Sequence, residues 1–211
     1  MHDISLVTKW KEFNKATGGL PVGLTRVVGT TGSGKSTLAL NLVKSLDIDT
    51  LYVSADCTLE SFENKNFKRD NLILICDYDI RIVSKAVKLF ISETTNGVVI
   101  IDSLLDLQLC EELNLQLECR FGVYARIIRS FVQEITQLAV RKNCALVCID
   151  TIRKDPRHTP FGNTISITEF MADLSIRTSI GSKEEDYKIV ATVDKCMNVS
   201  SGNTFTIPRN K

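Results

Sequence analysis

The residues Gly29-Thr30-Thr31-Gly32-Ser33-Gly34-Lys35-Ser36-Thr37 complete the pattern G-x-x-x-x-G-K-[ST]. Few short patterns constrain a fold as tightly, because this one works only between a strand and a helix. Both flanks are present. Leu24 to Val28 reads as a short strand, and Leu38, Ala39, Leu42 and Val43 fall at helical spacing in a helix from Ser36 to Ser45. Glycines at 29, 32 and 34 let backbone N–H groups turn inward around an anion, and the helix N-terminus adds partial positive charge. In such a loop Lys35 reaches the β- and γ-phosphates of a nucleotide, and the Ser36 hydroxyl ligates Mg²⁺.

A second motif supports the first. Val98-Val99-Ile100-Ile101-Asp102-Ser103 is an apolar strand ending in an acid, about 65 residues after Lys35, and Asp102 is placed to hold Mg²⁺ through water. Further strands are expected at Thr50–Ser54, Leu72–Cys76, Ala145–Ile149 and Leu174–Ile180. Ile80–Ser92 predicts a helix with Ile80, Val83, Val87, Phe90 and Ile91 on one face. Val123–Lys142 predicts a longer one with Ile127, Ile128, Phe131, Ile135, Leu138 and Ala139 facing the core. Tyr187–Val193 and Thr204–Ile207 read as antiparallel additions. The alternation predicts an α/β fold: a mainly parallel twisted sheet with helices on both faces. Residues 1–16 read as a short amphipathic helix. Its Trp10 and Phe13 are expected to cover the core edge, with docking on a neighbouring subunit as the alternative.

A chain of 211 residues suits one such domain, and a net charge of +1 leaves any nucleic-acid binding to a local patch. Cys144 and Cys148, four apart in a strand, could face one side as metal ligands, yet no histidine or further cysteine lies nearby in sequence, which favours free core thiols. The N-terminus is no signal peptide and no apolar run approaches ~18 residues, so an intracellular, soluble protein without membrane contact is expected.

The order of motifs resembles the RecA-type ATPase core over about Thr17 to Ile207, with 17–211 as the core domain. The points of similarity are Thr17-Gly18-Gly19-Leu20-Pro21-Val22-Gly23 before the first strand, Val99 to Ser103, Gly122-Val123-Tyr124-Ala125-Arg126 at a helix start, Ile152-Arg153, and Phe161-Gly162-Asn163 leading towards Ile180. Without a lengthy extra domain, the chain is similar to short phage and archaeal RecA-like or UvsX-like proteins. The resemblance implies a RecA-like P-loop NTPase that binds ATP and Mg²⁺ at subunit interfaces of a homo-oligomer, filament or ring. It also implies the cytoplasm, that of a bacterial host if the chain is phage-encoded. It gives Asp56 the place of a water-polarising glutamate, set back by one C–C bond of ~1.5 Å. Thr151 takes the place of a γ-phosphate-sensing glutamine. Lys195 matches a lysine that acts across a subunit interface on the neighbour's γ-phosphate.

Arg153, Lys154, Arg157 and His158 cluster beside Phe161 in a loop-like stretch, where cations would track phosphates and the ring would stack on a base. The acidic stretch from Cys110 to Cys119 is a poor DNA contact by charge. The expected activity is an ATP-dependent recombinase on single-stranded DNA. The alternatives are a ring-forming DNA helicase or translocase, and a recombination mediator that uses ATP as a conformational switch.

Overall fold

The computed structural model describes residues 5–55, 70–107, 117–152, 168–181, 188–196 and 199–208. A ribbon of β1 (Ser5–Leu6) and β2 (Leu20–Pro21) flanks α1 (Lys11–Thr17). The remaining strands form one sheet: β3 (Gly23–Gly29), β4 (Thr50–Ser54), β5 (Leu72–Cys76), β6 (Val98–Asp102), β7 (Ala145–Thr151), β8 (Leu174–Ile180), β9 (Ile189–Cys196) and β10 (Thr204–Ile207). Among the described residues the further helices are α2 (Lys35–Ser45), α3 (Ile80–Glu93) and α4 (Leu117–Arg141), with a 3-10 turn at Leu104–Asp106 and a helical turn at 168–171.

The sheet order is β10-β9-β8-β3-β7-β6-β4-β5. From β8 to β5 every pairing is parallel; β9 and β10 add antiparallel. The chain is thus an α/β protein with a mostly parallel mixed sheet. Strands buried on both faces tend to be apolar throughout; β4 and β6 are nearly so, whereas β3 carries the buried Thr25 and Arg26. Their alternate residues feed two cores. Val27, Tyr52, Ile100, Val147 and Ile176 pack with α1 and α2 on one face. Leu24, Val53, Ile101, Leu146 and Cys148 pack with α3 and α4 on the other.

Several boundaries differ from the expectation. The N-terminal segment is not one helix; a two-residue strand precedes α1. The long helix begins at Leu117, so Gly122 lies inside it rather than at its start. The strand β7 runs two residues further, to Thr151, which makes Asp150 a strand residue. The strand β9 is shifted to Ile189–Cys196 and includes Lys195, accommodated by a bulge opposite Ser175/Ile176. The helix at Ile80–Glu93 buries the five residues its period marks. Among the described residues no helix is long and apolar enough to cross a membrane.

Trp10 and Phe13 are buried in this chain's own core. Phe13 stacks on Trp10 at a centroid distance of 5.7 Å and meets Phe205 of β10 edge-on at 5.7 Å. Phe13→Ala should therefore lower the free energy of unfolding by about 3–5 kcal/mol, measured from urea midpoints at unchanged slope. A loss below about 1 kcal/mol would show that the segment contributes little to the core and is available for docking elsewhere.

Candidate nucleotide-binding site

The parallel strands β3, β4, β6, β7 and β8 end at one edge of the sheet, where open α/β sheets place ligands. The loop from Gly29 to Thr37 crosses that edge. Gly34 has φ 90° and Gly32 φ 76°, the left-handed region that glycine adopts without strain. A side chain at Gly29 would overlap the Ser33 hydroxyl and Thr178, and one at Gly34 would overlap Ile189. In front of Gly32 the space is open for 4 Å. The loop is held at its base and open at its mouth, where Thr30, Thr31 and Gly32 are exposed. The hold comes from a buried Ser33 Oγ–Thr178 Oγ1 hydrogen bond of 2.7 Å to β8. The Ser33 N–H donates to the Thr30 carbonyl at 3.1 Å.

Lys35 opens α2 and is 7% exposed. Its Nζ donates to the Thr30 carbonyl at 2.9 Å. Burial lowers its pKa, opposed by Asp102, Asp150 and Asp106. A buried ammonium thus stands among three carboxylates beside an open loop. Ser36 follows it, exposed at the helix N-terminus.

Asp102 ends β6, opposite Ser54 of β4 in register. Its Oδ2 accepts a 2.7 Å hydrogen bond from the hydroxyl of Tyr52, a residue only 1% exposed. This contact orients the carboxylate. Next in sequence, the Ser103 hydroxyl donates to Asp106 Oδ2 at 2.6 Å. Between β3 and β6 runs β7. Thr151 lies opposite Gly29, and the Ile152 N–H donates to the Gly29 carbonyl at 2.9 Å. The end of β7 is therefore tied directly to the start of the loop at Gly29.

Asp150 is fully buried. Its Oδ2 accepts from Thr168 Oγ1 at 3.0 Å and its Oδ1 has no partner. Burial pushes its pKa up to about 6, against the pull of Thr168, Arg26 and Lys35. Arg26, two residues away on the neighbouring strand, is 5% exposed and has its pKa lowered by burial.

Asp56, Arg153, Lys154, Arg157, His158 and Phe161 lie outside the described residues, as does most of the acidic 110–119 stretch. Lys195 is exposed and pairs with Ser175, far along β9 from Ile189, which packs against Gly34. It stands apart from its own chain's loop. Among the described residues no group of three or more His, Cys, Asp or Glu could hold a metal. Cys144 and Cys148 are buried free thiols.

Comparison with protein-family models and with curated proteins finds no match for this chain.

A loop with no room for side chains at its base, a buried cation at its centre and open space at its mouth suits a phosphate chain. Mg²⁺ would need only Ser36 and Asp102 from the protein, with phosphate oxygens and water completing its shell. Sequence reading did not single out Tyr52, Thr178, Asp150 or Thr168. Only Asp150 left a signal: a carboxylate where a buried strand should continue apolar.

A raised carboxylate pKa stabilises the folded state below its unfolded pKa, and that contribution is lost as pH rises through the folded pKa. The stability of the wild type relative to Asp150→Asn should therefore fall by roughly 3 kcal/mol between about pH 4 and pH 7, then level off. Chemical denaturation across that range measures it. A relative stability independent of pH would mean that Asp150 is not a buried acid.

Proposed function

We propose that this chain is a Mg²⁺-dependent ATPase of the RecA type that binds single-stranded DNA and acts in strand exchange, assembled as a homo-oligomer. The observation that carries the nucleotide part is Lys35: a buried ammonium opening a helix, answered by Asp102 two strands away at the same sheet edge. The strand between them, β7, leads directly into the sequence holding Arg153, Lys154, Arg157, His158 and Phe161. Such an order lets one edge serve nucleotide on one side and nucleic acid beyond it.

In this reading residues 29–37 wrap the phosphates with backbone N–H groups, and Lys35 leaves the Thr30 carbonyl for a phosphate oxygen. Ser36 and Asp102 hold Mg²⁺, which would neutralise charge on the phosphates. Asp56 would orient water, and Thr151 would report phosphate to β7. The remote position of Lys195 favours a role on a neighbouring subunit's nucleotide. The substitution of Asp56 and Thr151 for the residues of the recombinase pattern favours a second reading, a mediator that uses ATP as a switch with little turnover.

Lys35→Ala should abolish ATP hydrolysis and weaken ATP binding; wild-type turnover in that variant would remove the loop as the active site. Single-stranded DNA should stimulate hydrolysis in the wild type. Bound DNA without stimulation would support the mediator instead. Removing Arg153, Lys154 and Arg157 together should make the salt slope of single-strand binding shallower by about two units. An unchanged slope and affinity would overturn the assignment of DNA to that segment.

A further inference from the structure

Strands β3, β7 and β8 bring an unusual set of polar groups together on the face that packs α3 and α4. Arg26 on β3 lies opposite Cys148 of β7 and Ser175 of β8, and Asp150 is the next residue of β7 on that face. All four are buried. Three of their polar atoms have no hydrogen-bond partner: Arg26 Nε, Asp150 Oδ1 and Ser175 Oγ. Such groups are costly to bury in a single fixed arrangement. Here the guanidinium has three acids within its field: Asp150, Glu169 and Asp194. Asp150 is buried beside it, and Glu169, which is largely exposed, holds Oε2 at 3.8 Å from Arg26 Nη1. The hydroxyl of Thr168, the residue before Glu169, donates to Asp150.

We propose that Asp150 is a positioning residue that takes up a proton when a phosphate chain occupies the loop, and so strengthens the existing pairing of Arg26 with Glu169 on the turn at 168–171. This inference rests on the reading of residues 29–37 as the nucleotide site.

The electrostatics run in one direction. The groups that face Asp150 are Arg26 on β3, Lys35 on α2, Cys148 on its own strand and Thr168 from the turn. Arg177 and Asp194, which pair at 2.9 Å, act on it through Arg26. Lys35 is one of the two cations that favour the ionised carboxylate. Phosphate at the loop offsets that cation, and MgATP adds net negative charge even with its metal ion counted, so the neutral acid gains. Its hydrogen bond need not be lost, because Thr168 can accept from a protonated carboxyl as readily as it donates to an ionised one. Arg26 then keeps its ion pair with Glu169 and the more distant field of Asp194, and loses the competing field of Asp150. The consequence falls on Thr168 and Glu169, the residues that resume the described chain after the cation-rich segment. Loop occupancy thereby reaches both ends of that segment, at Ile152 through Gly29 and at Thr168 through Asp150.

Proton uptake is a readout that a merely structural aspartate would not produce. MgATP is titrated by calorimetry into wild type and Asp150→Asn near pH 7, in two phosphate-free buffers of low and high ionisation enthalpy. The buffer dependence of the heat gives the protons exchanged, and protonation of ATP itself is common to both proteins. The wild type should take up a substantial fraction of a proton more than the variant. Should Asp150→Asn not fold, the wild type alone decides: uptake should be greatest between about pH 6 and 7.5 and vanish by about pH 9. Binding with equal proton exchange in both proteins, or with no such pH dependence, overturns the role of Asp150 and leaves the nucleotide site standing. No heat and no thermal stabilisation by MgATP removes the nucleotide site and this inference with it.

Discussion

A lysine ammonium with little access to water needs negative charge around it, and the arrangement of Lys35 follows from that need. It opens α2, where the helix dipole is itself positive and disfavours a cation. The opposing carboxylates come from three places: Asp102 at the end of β6, Asp106 in the turn after it, and Asp150 in β7. None of the three is near Lys35 in sequence. Only the sheet order, with β7 between the loop strand and the acid strand, gathers them at one edge. The site is therefore as sound as the parallel pairing of β3, β7 and β6, and that pairing is held by two apolar cores.

Those cores also set what can move. The loop base is locked by the Ser33–Thr178 hydrogen bond and by the contacts of Gly29 and Gly34. Its mouth is open, and the hydrogen bond that Lys35 makes there is with the loop's own carbonyl. A bond of that kind is exchangeable for a phosphate oxygen at small net cost, because both are oxygen acceptors. In the proposed reading the site thus combines a preformed cradle with one cation whose acceptor can be exchanged.

The sequence was a good guide where a residue's role depends on its neighbours along the chain. The helical period of Ile80, Val83, Val87, Phe90 and Ile91 marks the buried face of α3, and the glycine and lysine spacing of residues 29–37 marks the loop. It was a poor guide where a role depends on a distant partner. Asp150 reads as the first residue beyond a strand, because an aspartate seldom continues one. It lies within β7, where Thr168, 18 residues on, donates to it and the charges of Arg26 and Lys35 offset part of its burial. Tyr52 reads as core, and only the pairing of β4 with β6 brings its hydroxyl to Asp102. The strand β9 was shifted for a similar reason: a bulge opposite β8 carries it past Asp194 to Lys195.

The most direct test of this account is a crystal structure with Mg²⁺ and a non-hydrolysable ATP analogue. The account predicts the phosphates inside residues 29–37, with Lys35 Nζ moved from the Thr30 carbonyl to a phosphate oxygen and Asp102 facing the metal. A nucleotide bound elsewhere, or a Lys35 still bonded to Thr30 with the loop filled, would contradict it.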